Sequence, residues 1–492
     1  MVAKLGKEQF GIWALVSIIF GLFSVLDFGT GIAFVKYFSE YHTKKDMDSF
    51  NRTLMVGFVF VGIMMLLLNL GAFILKEQIL NFFKIPSPLR EVTTFVFLGS
   101  CIIFGIYKTF SIFTSIINGL QKMEITNSIL AISSILHAVG VFLVLFLGLG
   151  LKGLLINQAV KYFIIITSSI LFARKLIGTF DLRLKKFNLK DIKELVDYGF
   201  KIQLSNLANV VNLQTDKTLI GYFISLVSVS IYEIGQKISL FFQMIVGMLL
   251  SALVPAISEL DAEGKSEKIL LLYEKGNKYL FALTFPIALF IVFFSENIIK
   301  VWVGNGFNDS ILVTQLLIIG VTVNMLTGIG TSIVRGIGEP IYETRYALIS
   351  LVLNIALGLL LVHYYGFWGI ILATPISVII GSIYFIWSFH KIYNLSFKIF
   401  FQKVIFKPLI IAVILCISLY FINLMIVNKL IIESRIALLL LLIFNFILFF
   451  LFNFFLLYKI NHWDEHDMNF ITTNIYKFIS APKEFLKLGL NY

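Results

Sequence analysis

Apolar residues fill most of this chain in long runs, and short polar tracts punctuate them. A helix rises about 1.5 Å per residue, so about 20 apolar residues cross a bilayer. Thirteen such runs are readable. They lie near 9–36, 53–76, 92–118, 126–149, 153–173, 196–224, 227–255, 277–301, 310–334, 345–364, 367–389, 406–428 and 435–458. The pattern predicts an all-α polytopic membrane protein with about 13 transmembrane helices.

The runs repeat. Asn118-Gly119-Leu120-Gln121 and Arg335-Gly336-Ile337-Gly338 each open a short turn followed by two helices. Phe10-Gly11 through Ser39-Glu40 pairs with Ile231-Tyr232 through Ser258-Glu259. The offset is about 220 residues in both cases, which points to a parallel repeat, a common transporter plan. At that offset the partner of the 196–224 helix falls mostly before residue 1. The expectation is two six-helix pseudo-symmetric lobes plus two further helices, with the first helix of the plan missing from this sequence. The expected divisions are an N-terminal lobe of five helices (1–175), a basic linker (176–195), a six-helix lobe (196–391), two C-terminal helices (392–458) and a tail (459–492).

Polar residues inside the runs carry the candidate chemistry, because a charge at mid-membrane costs about 2.5–3.5 kcal/mol on insertion scales and usually faces the bundle interior or water. Lys201, Ser205, Asn209, Asn212 and Asp216 follow helical steps and share a face about 80° wide. Such a stripe lines a wet cavity or supplies interhelical hydrogen bonds. Glu233 and Lys237 have the spacing and order of a favourable ion pair, with Gln236 beside them. Lys108 and Lys161 lie within spans and have no acidic residue at helical spacing nearby. A phosphate would complement them, and snorkelling to the interface is the plainer alternative. Lys217 adjoins Asp216 and either joins the cavity or neutralises that carboxylate. Asp27 lies among Gly29 and Gly31, where it suits a coupling ion or a helix cap. Arg335 ends a helix as a phosphate contact or a topology anchor.

Composition narrows the solvent. The 492 residues are 59% hydrophobic and 14% charged, against about 25% charged in soluble domains. A formal net charge of +12 raises the question of nucleic acid, but its distribution answers it. Lysines and arginines cluster in alternate connections: Lys44, Lys45 and Arg52; Lys122; Arg174 to Lys193; Lys265 to Lys278; Arg335 and Arg345; Lys391 to Lys403; and the tail from Lys459. By the positive-inside rule these face the cytoplasm, including the C-terminus. Connections near 226, 303–309 and 363–367 have none, and 76–91 is the exception. Thirteen crossings put Met1 outside. There is no basic domain and no nucleic-acid motif.

Cys101 and Cys416 both sit in apolar runs, where lone buried thiols are ordinary. No phosphate-binding loop, zinc motif or Ser/His/Asp constellation is visible, and His462 with His466 is a chance spacing in the tail. No catalytic activity, cofactor or resident metal is expected, and transport driven by an ion gradient follows.

Leu5-Gly6-Lys7-Glu8-Gln9-Phe10-Gly11, then Asp27-Phe28-Gly29 and Ser39-Glu40-Tyr41, resemble the start of the Wzx-type O-antigen and repeat-unit flippases. These polysaccharide biosynthesis proteins belong to the multidrug/oligosaccharidyl-lipid/polysaccharide (MOP) exporter superfamily. Ala252 to Leu260 resembles the matching place in the second half. The resemblance implies fourteen helices with both termini cytoplasmic, in a bacterial inner membrane. It implies movement of an undecaprenyl-pyrophosphate-linked oligosaccharide to the periplasmic leaflet, for O-antigen, capsule or exopolysaccharide. With such a substrate the polar residues inside the spans acquire roles from their burial rather than from a family motif: Lys108, Lys161, Lys201, Asn209, Asn212, Lys217, Lys237 and Arg335 are expected to form the pyrophosphate and sugar cavity. Asp27, Asp216 and Glu233 couple to H⁺ or Na⁺. Membrane lipids and other polysaccharide-assembly proteins are the further partners. A lipid II flippase and a cation-coupled multidrug exporter are the alternatives within the superfamily. A membrane-embedded polymerase or ligase fits less well, because the external connections are short.

Overall fold

The computed structural model describes residues 2–25, 30–178, 211, 214–250, 253–430, 434–460 and 462–463. Among these residues all regular structure is helical. Among the described residues, eleven helical spans are long and apolar enough to cross a membrane, and each coincides with one of the thirteen predicted runs. The other two predicted runs, 9–36 and 196–224, pass through residues outside the described set. The protein is therefore an all-α, multi-pass membrane protein.

The chain packs as two compact units, Met1–Lys237 with Glu343–Gly381 and Ile238–Tyr342 with Ser382–Tyr492. In the first, Met123–Phe146 packs along Gly150–Ile177, Met47–Ile74 along Ser87–Phe110, and Thr30–Thr43 along Ile112–Gly119. An apolar core around Phe34, Phe38, Phe50, Leu54, Ile112 and Ile116 joins the last of these pairs to Met47–Ile74. At the start of that helix Asp46 is the N-cap, and its carboxylate accepts from the Ser49 N–H at 2.9 Å. The Ser49 hydroxyl and N–H hold the Asp46 carboxyl below the usual range, as caps of a helix N-terminus do.

In the second unit the long Ser266–Trp302 helix packs against Asn308–Asn324, Lys407–Leu430 and Arg435–Lys459. Its apolar face is continuous through Phe281, Phe285, Phe290 and Phe294. Tyr273 on this helix hydrogen-bonds across to His390 Nε2 at 2.9 Å and stacks on Phe389.

Two of the predicted single runs are broken, at corresponding places. The first interruption, at Ser111, separates Ser87–Phe110 from Ile112–Gly119. A 3₁₀ turn at Met325–Thr327 separates Asn308–Asn324 from Gly328–Gly336. Each short helix ends on a glycine that lies against a neighbouring helix. A Cβ at Gly119 would meet the Val35 carbonyl at 2.9 Å, and one at Gly336 would meet the Val254 carbonyl at 3.3 Å. In the second unit Ser258 Oγ also donates to the Gly336 carbonyl at 2.9 Å. The repeat read from sequence thus recurs as one local packing device, built separately in each unit.

Candidate functional site

Four of the candidate residues come together in the first unit. Residues 214–223 are helical and turn at 224–225 into Leu226–Leu250. Asp216 is seven residues before that turn region and Glu233 is seven after Leu226. At 1.5 Å per residue both lie roughly 10 Å along their helices from the shared turn. The 363–367 turn, on the same expected side, places Thr374 of Phe367–Ile392 at a similar depth and Asn354 of Ile341–Tyr365 somewhat deeper.

Two linked polar groups result. In one, Lys217 Nζ lies 2.7 Å from Glu233 Oε2, and Lys237 Nζ lies 3.4 Å from Glu233 Oε1. Lys237 also stands over the Phe10 ring, 5.2 Å from its centroid. In the other, the Tyr232 hydroxyl donates to Asp216 Oδ2 at 2.6 Å and the Thr374 hydroxyl donates to the same oxygen at 2.5 Å. Asn354 Nδ2 donates to Thr374 Oγ1 at 2.9 Å, so the amide orients the hydroxyl that meets the carboxylate. Gln236 Nε2 reaches the Tyr232 hydroxyl at 3.5 Å, at the limit of a hydrogen bond. Asp216, Lys217 and Glu233 are all buried, at 1%, 5% and 7% exposure.

The pairing corrects one reading of the sequence. Lys217 does not serve simply to neutralise its neighbour Asp216. Successive helical residues point about 100° apart, and Lys217 faces Glu233 on the next helix. Glu233 likewise answers two lysines rather than Lys237 alone. Asp216 instead takes neutral donors. Among the described residues, its Oδ1 and the Asn354 Oδ1 are buried without a hydrogen-bond partner. Both are acceptors, so the chemistry they complement is a proton or a cation.

The remaining candidates are placed apart from this cluster or lie outside the described residues. Lys161, on Gly150–Ile177, lines a separate polar cavity with Trp13, Ser17, His137, Gln158 and Tyr162. Lys108, expected in mid-helix, lies in the last turn before the Ser111 break and is half-buried. Arg335 is exposed in the last turn of Gly328–Gly336. Asp27, Lys201, Asn209 and Asn212 fall outside the described residues.

Sequence reading missed Tyr232, Asn354 and Thr374. Neutral polar residues are scattered through every span, and nothing in a linear pattern separates one that meets a carboxylate from one that bonds to its own helix. Ser377 illustrates the second case, donating to the Thr374 carbonyl within the same helix.

Comparison with known proteins places this architecture. A profile of the polysaccharide biosynthesis protein family matches residues 2–261, and a profile of the MatE family matches residues 202–360. A Shigella flexneri protein named as an O-antigen transporter is 21% identical over 398 residues, covering 79% of this chain and 91% of that protein. A Haloferax volcanii protein named as the flippase AglR is 22% identical, covering 78% of this chain and 77% of its own. Among solved structures, the lipid II flippase MurJ in an inward closed conformation superposes with a TM-score of 0.70 at 18% identity, covering 93% of this chain and 96% of MurJ. An inward-facing multidrug resistance MATE transporter of the MOP superfamily gives a TM-score of 0.66 at 16% identity, covering 80% and 92%. At these identities the two structures speak for the fold. The polysaccharide biosynthesis profile spans more than half of the chain, and on that match the protein belongs to the polysaccharide biosynthesis protein family.

Proposed function

We propose that this protein flips an undecaprenyl-pyrophosphate-linked oligosaccharide from the cytoplasmic to the periplasmic leaflet of a bacterial inner membrane, by ion-coupled alternating access between two lobes. The family match and the relatives named as O-antigen transporter and flippase support the substrate class. The observation that carries the coupling is the buried Asp216 carboxylate, whose Oδ2 accepts from two hydroxyls and whose second oxygen lies buried without a hydrogen bond among the described residues. A carboxylate in that setting gains most from a proton or a sodium ion.

Asp216 and Glu233 are the ion-coupling groups in this reading, with Asp27 a third. The cations Lys108, Lys161, Lys201, Lys217, Lys237 and Arg335, with Asn209 and Asn212, serve the pyrophosphate and sugar. Glu233 holds Lys217 and Lys237, so substrate phosphate and the Glu233 carboxylate compete for the same ammonium groups. Neutralising Glu233 releases both lysines to the phosphate, which links ion binding to substrate binding through one shared set of charges.

The test is flipping of a radiolabelled lipid-linked oligosaccharide in proteoliposomes, under an imposed Na⁺ or pH gradient. The expected result is gradient-driven flipping by the wild type and its loss in Asp216→Asn. Gradient-driven extrusion of an organic cation, with no flipping of any lipid-linked sugar, would replace this reading with a multidrug exporter. That alternative draws support from the MatE profile match.

A further inference from the structure

A second polar site lies in the first unit, apart from the Asp216 and Glu233 groups. It is a cavity of about 200 Å³ between Val2–Val25, Met123–Phe146 and Gly150–Ile177, lined by Trp13, Ser17, His137, Gln158, Lys161 and Tyr162. Lys161 is eleven residues into its helix from Gly150 and His137 nine residues before Phe146, so both sit roughly 14–16 Å from the turn joining those helices.

The donors around the cavity are arranged by their neighbours. Asn157 Nδ2 lies 3.0 Å from the His137 carbonyl and 2.9 Å from His137 Nδ1. A carbonyl only accepts, so the atom facing it is the amide NH₂. The same NH₂ therefore donates to Nδ1, and the ring proton resides on Nε2. His137 is thereby fixed as a donor through Nε2. Gln158 hydrogen-bonds to Tyr162, and the Tyr162 ring stacks on Tyr107 at 4.4 Å between centroids. The Ser17 hydroxyl is turned to the Trp13 carbonyl at 3.0 Å. Among the described residues, Lys161 has no ion-pair partner, and no carboxylate lines the cavity. An ammonium group at this depth calls for an anion.

A bare phosphate would use the cation and leave the aromatic wall idle. A sugar ring presents a C–H face that packs on indole or phenol, and hydroxyls that meet amide, imidazole and phenol groups. The volume is on the scale of one monosaccharide. We infer that this cavity is a subsite for one acidic sugar unit of the transported oligosaccharide, a hexuronic acid whose carboxylate pairs with Lys161 and His137 and whose ring packs on Trp13. The inference rests on the flippase reading and narrows its substrate to glycans that carry a carboxylate.

The test uses the full chain in lipid nanodiscs and equilibrium dialysis with radiolabelled glucuronate. Saturable binding is expected, with glucose at least about tenfold weaker and inorganic phosphate a poor competitor. Lys161→Gln is expected to weaken glucuronate at least about tenfold while Lys161→Arg stays within about threefold, with thermal melting showing that both variants are folded. Trp13→Leu should weaken glucuronate and glucose alike. Gly140→Ala should also weaken glucuronate, because its new methyl displaces the Asn157 side chain that orients His137. Phosphate competing as well as glucuronate, an unaffected Lys161→Gln, or no saturable binding by folded wild type would each overturn the inference. Flipping assays on the same preparations keep the two readings separate. A protein that flips a lipid-linked glycan yet binds no glucuronate loses only the subsite, and one that binds glucuronate through Lys161 yet flips nothing loses only the transport reading.

Discussion

Lys217 Nζ and Glu233 Oε2 lie 2.7 Å apart with side chains only 7% and 9% exposed. Such a pair is held by mutual need rather than by net gain, since removing one partner strands the other in a poorly solvated place. Glu233→Gln is expected to cost about 3–5 kcal/mol, as it strands Lys217. The half-exposed Lys237 adds little, because solvent screens it. The double variant Lys217→Met/Glu233→Gln should recover more than half of that loss. Unfolding in detergent, followed by denaturant titration, measures both. Equal losses in the single and double variants would mean that the pair is not what matters.

Asp216→Asn keeps the shape of the side chain and removes its charge. Ion-driven flipping should fall at least about tenfold, with passive substrate binding preserved. Thr374→Val removes one of two donors to Oδ2 and leaves Tyr232 in place, so a smaller fall of several-fold is expected. The comparison is read from initial rates in proteoliposomes across a series of Na⁺ and proton gradients. A Thr374→Val variant as impaired as Asp216→Asn would point to loss of local structure instead.

Gly119 and Gly336 occupy matched positions in the two units: a Cβ at Gly119 would press on the Val35 carbonyl at 2.9 Å, and one at Gly336 on the Ile257 side chain, including its Cβ at 2.8 Å, and on the Val254 carbonyl at 3.3 Å. Neither a backbone carbonyl nor a β-branched Cβ held by its own helix has much room to give, so Gly119→Ala and Gly336→Ala should each destabilise by about 1–3 kcal/mol. Gly247, where a Cβ meets nothing within 4 Å, supplies the control, and Gly247→Ala should be neutral or slightly stabilising. Thermal melting of the three variants side by side decides the point.

Cys101 and Cys416 are buried, at 1% and 0% exposure. Neither should react with a maleimide until the protein is denatured, which makes the native chain a silent background for topology mapping. Lys265→Cys, in an exposed turn, should label only after the membrane is permeabilised. Tyr365→Cys, at a position 63% exposed on the opposite connection, should label in intact spheroplasts. The reverse pattern would invert the orientation drawn from the lysine and arginine distribution.

The sequence alone determined the solvent and the class of fold. Apolar runs of membrane-spanning length leave one viable arrangement, because backbone groups in lipid must be satisfied within a helix. The eleven spans among the described residues follow those runs to within a few residues at most ends, with the largest departures at 255–277 and 397–406. Charges within the runs were legible for the same reason. A buried Asp216, Lys217 or Glu233 stands out against an apolar background because its insertion is costly.

Tertiary structure decided how those charges are partnered. Lys217 and Glu233 are 16 residues apart and meet because one turn folds two helices back to back. Thr374 lies 158 residues from the Asp216 carboxylate that it serves. The neutral groups Tyr232, Asn354, His137 and Gln158 carry no signal of their own, since a hydroxyl or amide in a membrane helix is as readily satisfied by the turn before it. Periodicity fixes which face of a helix a residue occupies. Which other face it meets is set by packing between helices, and among the described residues that is where the Asp216–Glu233 groups and the Lys161 cavity are made.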